Sequence, residues 1–488
     1  MRESLKNRTI KGTLWSATDA FLGQGVTFIV GIVLAHILTP AEYGLIGICT
    51  IFTTVLTGIV DSGFSNALIR KSDTTNEDYN TMFITNLMIS IVLYVILYIS
   101  APVISQFFDR PELIKLIRAM GGILIIQALS LVQTTILTKK IDFKTKTKAS
   151  FVAALLSGVV GIVMAFNGFG VWALAGQQLS KQLFYTISLW ILNKWWPSLN
   201  FSSKSFSYMW GFGWKLMVSG LLSNIWNQLY QVVVGKFYTP STLGQYSRSK
   251  EYAGIFSSNL TAIIQRVSYP VLAEIQDDKE RMVIGYRRII KTTMFVTTSI
   301  LFFMGSVAEP LLYCLIGPQW REASTYLPLI CISMSLYPLH AINLNMLQVQ
   351  GRSDIFLYIE IVKKLIAVGP LCLGIFVNIY WMLIGSIITG IISFFLNSYY
   401  TGKSLGYSSW MQVKDIIPSY TISLLIACAV YFIKYLPISF WLVLPIQIIV
   451  GGLLLLGICE KTELSEYIEV KDIVTTGINK LLKRSSKQ

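Results

Sequence analysis

Stretches of about twenty mostly apolar residues, the length of helix that crosses a bilayer, follow one another along almost the entire chain. They lie near residues 14–38, 42–65, 80–106, 114–137, 149–167, 170–192, 211–236, 244–272, 292–316, 323–349, 356–378, 380–400, 416–434 and 438–458. In hydrocarbon, backbone N–H and C=O groups must be satisfied within their own segment, so apolar stretches of this length form helices. The expectation is an all-α polytopic membrane protein with fourteen transmembrane helices, or twelve if the last pair is misread. Only 13% of the residues are charged, against roughly 25% in a soluble domain, which points the same way.

Two separated motifs recur. Leu38-Thr39-Pro40-Ala41-Glu42-Tyr43-Gly44 returns as Tyr238-Thr239-Pro240-Ser241-Thr242-Leu243-Gly244, and Val171-Trp172-Ala173-Leu174-Ala175-Gly176 as Tyr380-Trp381-Met382-Leu383-Ile384-Gly385. Both spacings are near two hundred residues, as expected of a duplicated half. The first six spans and the next six then form two repeats. An even number of helices per repeat keeps both in the same orientation, related by an axis along the membrane normal, an arrangement used by transporters. The division expected is a lobe at 1–200, a second lobe at 201–405, an extra helix pair at 406–460 and an amphipathic cytoplasmic tail at 461–488. Each Thr-Pro reads as a tight turn: Thr39 caps a helix, Pro40 suits its first position and Glu42 completes a capping box, whereas the copy has Thr242 in place of the acid.

The net charge of +15 would suggest nucleic acid in a soluble protein; in a membrane protein it reflects basic loops on the cytoplasmic side. Placing both termini and every second loop there gathers Arg70, Lys71, Lys139, Lys140, Lys144, Lys146, Lys148 and Lys194 with the two basic ends of the chain. Little more than Arg110, Lys115, Arg118, Lys236, Arg321 and Lys434 is left outside. The basic N-terminus runs into its apolar segment with no clear cleavage site and reads as a retained first helix. The six cysteines lie in apolar segments without metal-type spacing, so neither a metal site nor a cofactor is expected. No phosphate-binding glycine loop is present, and ATP hydrolysis by this chain is excluded.

Charges at bilayer depth are costly and face a cavity or a partner. Gln178, Lys181, Gln182 and Tyr185 share one helix face, as do Asn224, Asn227, Gln228 and Gln231. Lys181 stands about ten residues from either end of its span, too deep to snorkel easily. Further cations at depth are Lys215, Arg248, Lys250, Arg266, Lys363 and Lys364; the acids are Asp19, Asp61, Glu251 and Glu360. Seven cations against four acids suit an anionic substrate, and the amides suit sugar hydroxyls. The structural alternative is that amide stripes are interhelical glue, that Glu360 neutralises Lys364, and that Asp61, Lys215 and Arg266 are interfacial anchors. His340 follows Pro338, which can break its helix, with Asn343 one turn on; His340 is either a proton carrier or a packed, hydrogen-bonded histidine. His340 and the four acids compete as sites for a coupling ion.

Leu38 to Gly47, Asp61 to Lys71, Tyr246 to Ala253, Tyr269 to Met282 and Ile316 to Ala323 together resemble the bacterial polysaccharide transporter family. That family falls within the multidrug/oligosaccharidyl-lipid/polysaccharide exporter superfamily, and the likeness is to its Wzx-type, WzxC-like flippases. The resemblance covers roughly residues 5–460. It implies two six-helix lobes forming a V-shaped lumen, often with two extra helices. It implies transport of undecaprenyl-diphosphate-linked oligosaccharide across the inner membrane, coupled to H⁺ or Na⁺, for a polysaccharide polymerase machinery, with basic residues holding the diphosphate. The family pattern falls on Asp61, Arg70, Arg248 and Arg266; Lys181 and the amides come from the residue reading alone. A small-cation or multidrug exporter of the same superfamily is the rival, and would prefer an acidic lumen. A membrane glycan polymerase or ligase would need larger external loops than these.

Overall fold

The computed structural model describes residue 23, residues 25–61, 63–275, 278–350, 352–472 and residue 475. The chain divides into two compact units, Met1–Gly244 and Gln245–Gln488. The described parts of the fourteen apolar stretches are mainly helical, with breaks inside them at Gly63, Gly121, Val307, Leu336 and Ala367. Nine helical segments among the described residues are long and apolar enough to cross a membrane.

The N-terminal unit contains α1 (Gly25–Ile37), α2 (Pro40–Asp61), α3 (Phe64–Arg70), α4 (Asn76–Phe108), α5 (Leu113–Met120), α6 (Gly122–Lys139), α7 (Phe143–Phe166), α8 (Val171–Asn193) and α9 (Ser203–Phe237). It also holds the first turn of α10 (Pro240–Glu274). Polar residues set the starts. Thr75 and Asp78 form a capping box at α4, and Asp142 and Ser202 cap α7 and α9; each satisfies backbone donors that a helix leaves open. Thr39 and Glu42 make the expected box at α2, with Thr39 N donating to Glu42 Oε2 at 2.7 Å and Glu42 N to Thr39 Oγ1 at 3.4 Å. At α10, Thr242 N donates to Thr239 Oγ1 at 3.2 Å and the return bond is between hydroxyls.

The glycine that closes this repeated motif has a packing reason. A Cβ on Gly44 would overlap the carbonyl of Pro240, and a Cβ on Gly244 the carbonyl of Pro40. The first turns of α2 and α10 therefore cross backbone to backbone, each glycine under the other motif's proline. Gly176 and Gly385 end the second motif. The first lies against Met164 of α7 and the second against Pro370, so each copy marks where a helix packs on its predecessor.

At the basic end of this unit, α3 is held by charge. Lys71 binds both carboxylate oxygens of buried Asp78, at 2.8 and 2.7 Å. Lys139 of α6 donates to the Leu68 carbonyl at 3.0 Å, and to the Lys71 carbonyl and the Thr74 hydroxyl, an ammonium on open carbonyls at a helix C-terminus. At the other end, Lys236 reaches Asp109 at 2.8 Å, and this hydrogen bond holds the exposed Asp109 carboxyl below its ordinary pKa.

The C-terminal unit contains the rest of α10, then α11 (Lys279–Ser306), α12 (Ala308–Ile316), a 3₁₀ turn (Pro318–Trp320), α13 (Arg321–Ser335), α14 (Tyr337–Val349), α15 (Ser353–Ile366), α16 (Val368–Phe376), α17 (Ile379–Leu405), α18 (Ser409–Phe432) and α19 (Phe440–Lys461). The span bearing Pro338 is interrupted at Leu336, with the proline in the first turn of α14, where its missing N–H is harmless. Gly317, at φ 93°, turns the chain into the 3₁₀ segment and Trp320 is fully buried. Tyr467, in a helix at 465–472, shares a buried cluster with Phe295 of α11 and Cys459 of α19, and Leu464 and Leu455 pack against it. Glu469 meets Arg288 at 2.8 Å and Glu466 meets Lys291 at 2.6 Å.

Candidate functional site

The polar residues picked out by the sequence divide between those spent on packing and those facing outward. On α8, Lys181 is half-buried and donates to Thr27 Oγ1 of α1 at 3.2 Å. Gln182 donates to Ser130 of α6 at 3.3 Å, which is the glue role. Gln178, one turn before Gln182, is half-buried. On α9, Asn224 is half-buried, its amide in the space that a Cβ on Gly58 of α2 would fill. Asn227 and Lys215 are exposed on the same helix. Lys181 and Asn224 are thus seated against different helices, α1 and α2.

Asp61, at the end of α2, accepts from Ser65 at 2.5 Å, and Ser65 in turn accepts from Thr135 of α6 at 3.0 Å. Arg70 is exposed, its guanidinium 5.0 Å from the centre of the Phe212 ring. Asp19 and the Arg266 side chain lie outside the described residues.

In the C-terminal unit, Arg248 is buried in α10 and ion-paired with Glu251 at 2.7 Å, the acid reaching the more open side. Glu360 pairs with Lys363 at 2.5 Å, not with Lys364. Both lysines share its helix face, and the side-chain conformation selects the nearer turn. Lys364 is half-buried beside this pair. His340 is tied to Asn397 of α17, Nδ1 to Nδ2 at 3.2 Å.

The sequence reading missed a buried, multiply connected polar centre among the described residues of this unit. Asn343, fully buried in α14, accepts from Tyr286 at 2.8 Å, Thr401 at 2.9 Å and Gln412 at 3.3 Å. It donates to Gln412 Oε1 at 3.1 Å and to the Leu339 carbonyl at 3.0 Å. Below it Asp415 takes a bidentate pair from Arg287, at 2.5 and 2.6 Å, and a bond from Tyr407 at 2.7 Å. The available signal was Asn343 one turn from His340; its partners on α11, α17 and α18 left none. Chemically, the described residues offer cations, amides and hydroxyls, suited to binding phosphate and sugar. No group of three or more metal-ligating side chains occurs among them.

Residues 33–325 match the family model described as polysaccharide biosynthesis protein. Among curated relatives, the succinoglycan biosynthesis transport protein ExoT of Rhizobium meliloti is 23% identical over 75% of this chain and 74% of its own. The teichuronic acid biosynthesis protein TuaB of Bacillus subtilis is 24% identical over 73% and 74%. The lipopolysaccharide biosynthesis protein WzxC of Escherichia coli is 22% identical over 76% of each. Among solved structures, the lipid II flippase MurJ in an inward closed conformation superposes with a TM-score of 0.71 at 15% identity, covering 95% of this chain and all of that one. An inward-facing multidrug transporter of the MATE family gives 0.61 at 16% identity, covering 80% and 96%. The transporter fold expected from the repeat is therefore present.

Proposed function

The chain belongs to the polysaccharide biosynthesis protein family, and from that premise we propose that it is a flippase for lipid-linked oligosaccharide. It carries an undecaprenyl-diphosphate-linked glycan from the cytoplasmic to the outer leaflet of the bacterial inner membrane, by alternating access, for surface polysaccharide synthesis. Family membership is the observation that carries this reading. A relative named for transport in succinoglycan synthesis and relatives named for teichuronic acid and lipopolysaccharide synthesis support it, as does the excess of cations over acids at bilayer depth.

In this reading the two six-helix repeats are 1–200 and 201–405, followed by the extra pair 406–460 and the tail 461–488. The end bearing Lys71, Lys139 and Lys148 faces the cytoplasm, as do both termini. Lys181, Arg248, Arg266, Lys215, Lys364 and Arg70 meet the diphosphate or acidic sugars; Gln178, Asn224 and Asn227 meet hydroxyls. Asp19, Asp61, Glu251, Glu360 and His340 are the groups among which the H⁺ or Na⁺ site is sought. The product passes to a polymerase machinery.

The test is deletion of the gene followed by mass-spectrometric profiling of lipid-linked oligosaccharides, with leaflet assignment. One undecaprenyl-diphosphate oligosaccharide should accumulate facing the cytoplasm. If none accumulates, in cells making such glycans without a redundant flippase, the reading fails in favour of a cation-coupled small-molecule exporter.

A further inference from the structure

Two grooves flank one ridge on the surface of the N-terminal unit. The first, about 370 Å³, runs between α6 and α8, walled by Ile126, Leu129, Leu183 and Ile187, with Trp190 and Trp196 at its basic end. The second, about 340 Å³, runs between α7 and α8, walled by Phe151, Val152, Ser188 and Leu192, with Lys148 at its mouth. Ile191, 69% exposed, lines both and separates them.

The wall of the first groove offers nothing to a polar ligand. Thr186 spends its hydroxyl on the Ile126 carbonyl, at 3.1 Å, and accompanies it with the Gln182 carbonyl at 2.9 Å. Trp190 donates its indole N–H to the Leu129 carbonyl at 2.8 Å. Both polar groups point into the protein, so the groove is dry and takes a hydrocarbon chain. The mouth is the opposite. Lys144 and Lys148 stand one turn apart on α7, both exposed, and exposed Lys194 follows α8. Trp196, 70% exposed and edge-on to Trp190 at 5.0 Å, marks the level at which amphipathic rings sit between hydrocarbon and water.

We infer that these grooves hold one anionic two-chain phospholipid of the cytoplasmic leaflet, its chains straddling Ile191 and its phosphate beside Lys148. Two largely apolar grooves that share Ile191, with cations toward one end, match two chains joined at an anionic headgroup; a single polyprenyl chain would leave one groove unfilled. The inference rests on the orientation proposed above, but not on the identity of the transported substrate.

The experiment is native mass spectrometry of the full-length protein in mild detergent, offered phosphatidylglycerol or phosphatidylcholine of the same chain composition. One phosphatidylglycerol should be retained in preference. Lys148→Ala should weaken that preference about fivefold, the effect of one basic residue beside an anionic headgroup, while Leu183→Trp, which fills the first groove, should lower retention of both lipids. Equal retention of the two lipids by the parent protein overturns the inference. So does a preference untouched by Lys148→Ala, which the net charge of +15 alone would produce, and so does retention unaffected by Leu183→Trp. Because retention is read without transport, these failures are separate from failure of the flippase reading.

Discussion

Lys181 is the residue at which the proposed transport is most sharply tested. Its ammonium stands half-buried on α8 and donates to Thr27. Lys181→Ala should lower glycan export about tenfold with normal protein levels, the equivalent of one lost charge-assisted hydrogen bond. Lys181→Arg should retain part of it. Export assays that find the alanine variant unimpaired remove Lys181 from the site, because a charge without a role at that depth is neutral or favourable to delete. Glycines give a second test at this scale. Gly44→Ala and Gly244→Ala each drive a methyl into a proline carbonyl of the other motif, and overpacking of this kind costs about 1–3 kcal/mol. Gly220→Ala meets nothing within 4 Å and should leave thermal stability in detergent unchanged or slightly raised. Equal melting temperatures for all three variants would show that the crossing tolerates extra volume.

Within single elements, α14 shows what can and cannot be read from a linear chain. Its start was legible, since Pro338 excludes helix interior and suits a first turn; so were the caps at Thr39 and Thr239. Asn343 was visible only as a polar neighbour of His340. Its partners Tyr286, Thr401 and Gln412 lie 57, 58 and 69 residues away, and no local pattern encodes which of many buried polar groups will meet. Glu360 illustrates the same limit over a shorter reach: two lysines share its face, and only side-chain geometry chooses Lys363. Asn343→Leu leaves the groups of α11, α17 and α18 without their shared acceptor. It should lower stability by about 1–3 kcal/mol for each group left buried and unsatisfied, read as a fall in unfolding temperature, with Asn343→Gln intermediate. The helix 465–472 offers a reversible case. Glu466→Lys opposes Lys291 and should expose the segment after residue 461 to limited proteolysis, whereas adding Lys291→Glu should restore protection. Cleavage rates that ignore both changes would mean that Tyr467 and its apolar neighbours alone hold the helix.

For the molecule as a whole, the apolar stretches made the helical membrane fold legible, and the repeats made its transporter class legible. The count of spans was less so. α8, α9 and α10 carry so many amides and charges that none ranks among the nine apolar spans of the described residues, and the stretch at 356–378 carries Glu360, Lys363 and Lys364. Orientation can be checked directly. With the six cysteines replaced, a membrane-impermeant thiol reagent added to spheroplasts should label Arg110→Cys and Arg321→Cys but spare Lys140→Cys until the membrane is opened. The reverse pattern would invert the topology. The crossing of α2 with α10 also carries a historical implication. In a two-fold dimer of one undivided ancestral half, a single codon would have supplied both glycines of the contact, so any mutation there struck twice. On the duplication expected from the repeated motifs, fusion of the two copies would have ended that coupling. Each motif would then drift alone, and Glu42 of one beside Thr242 of the other is the kind of difference that independent drift leaves once a shared position becomes two.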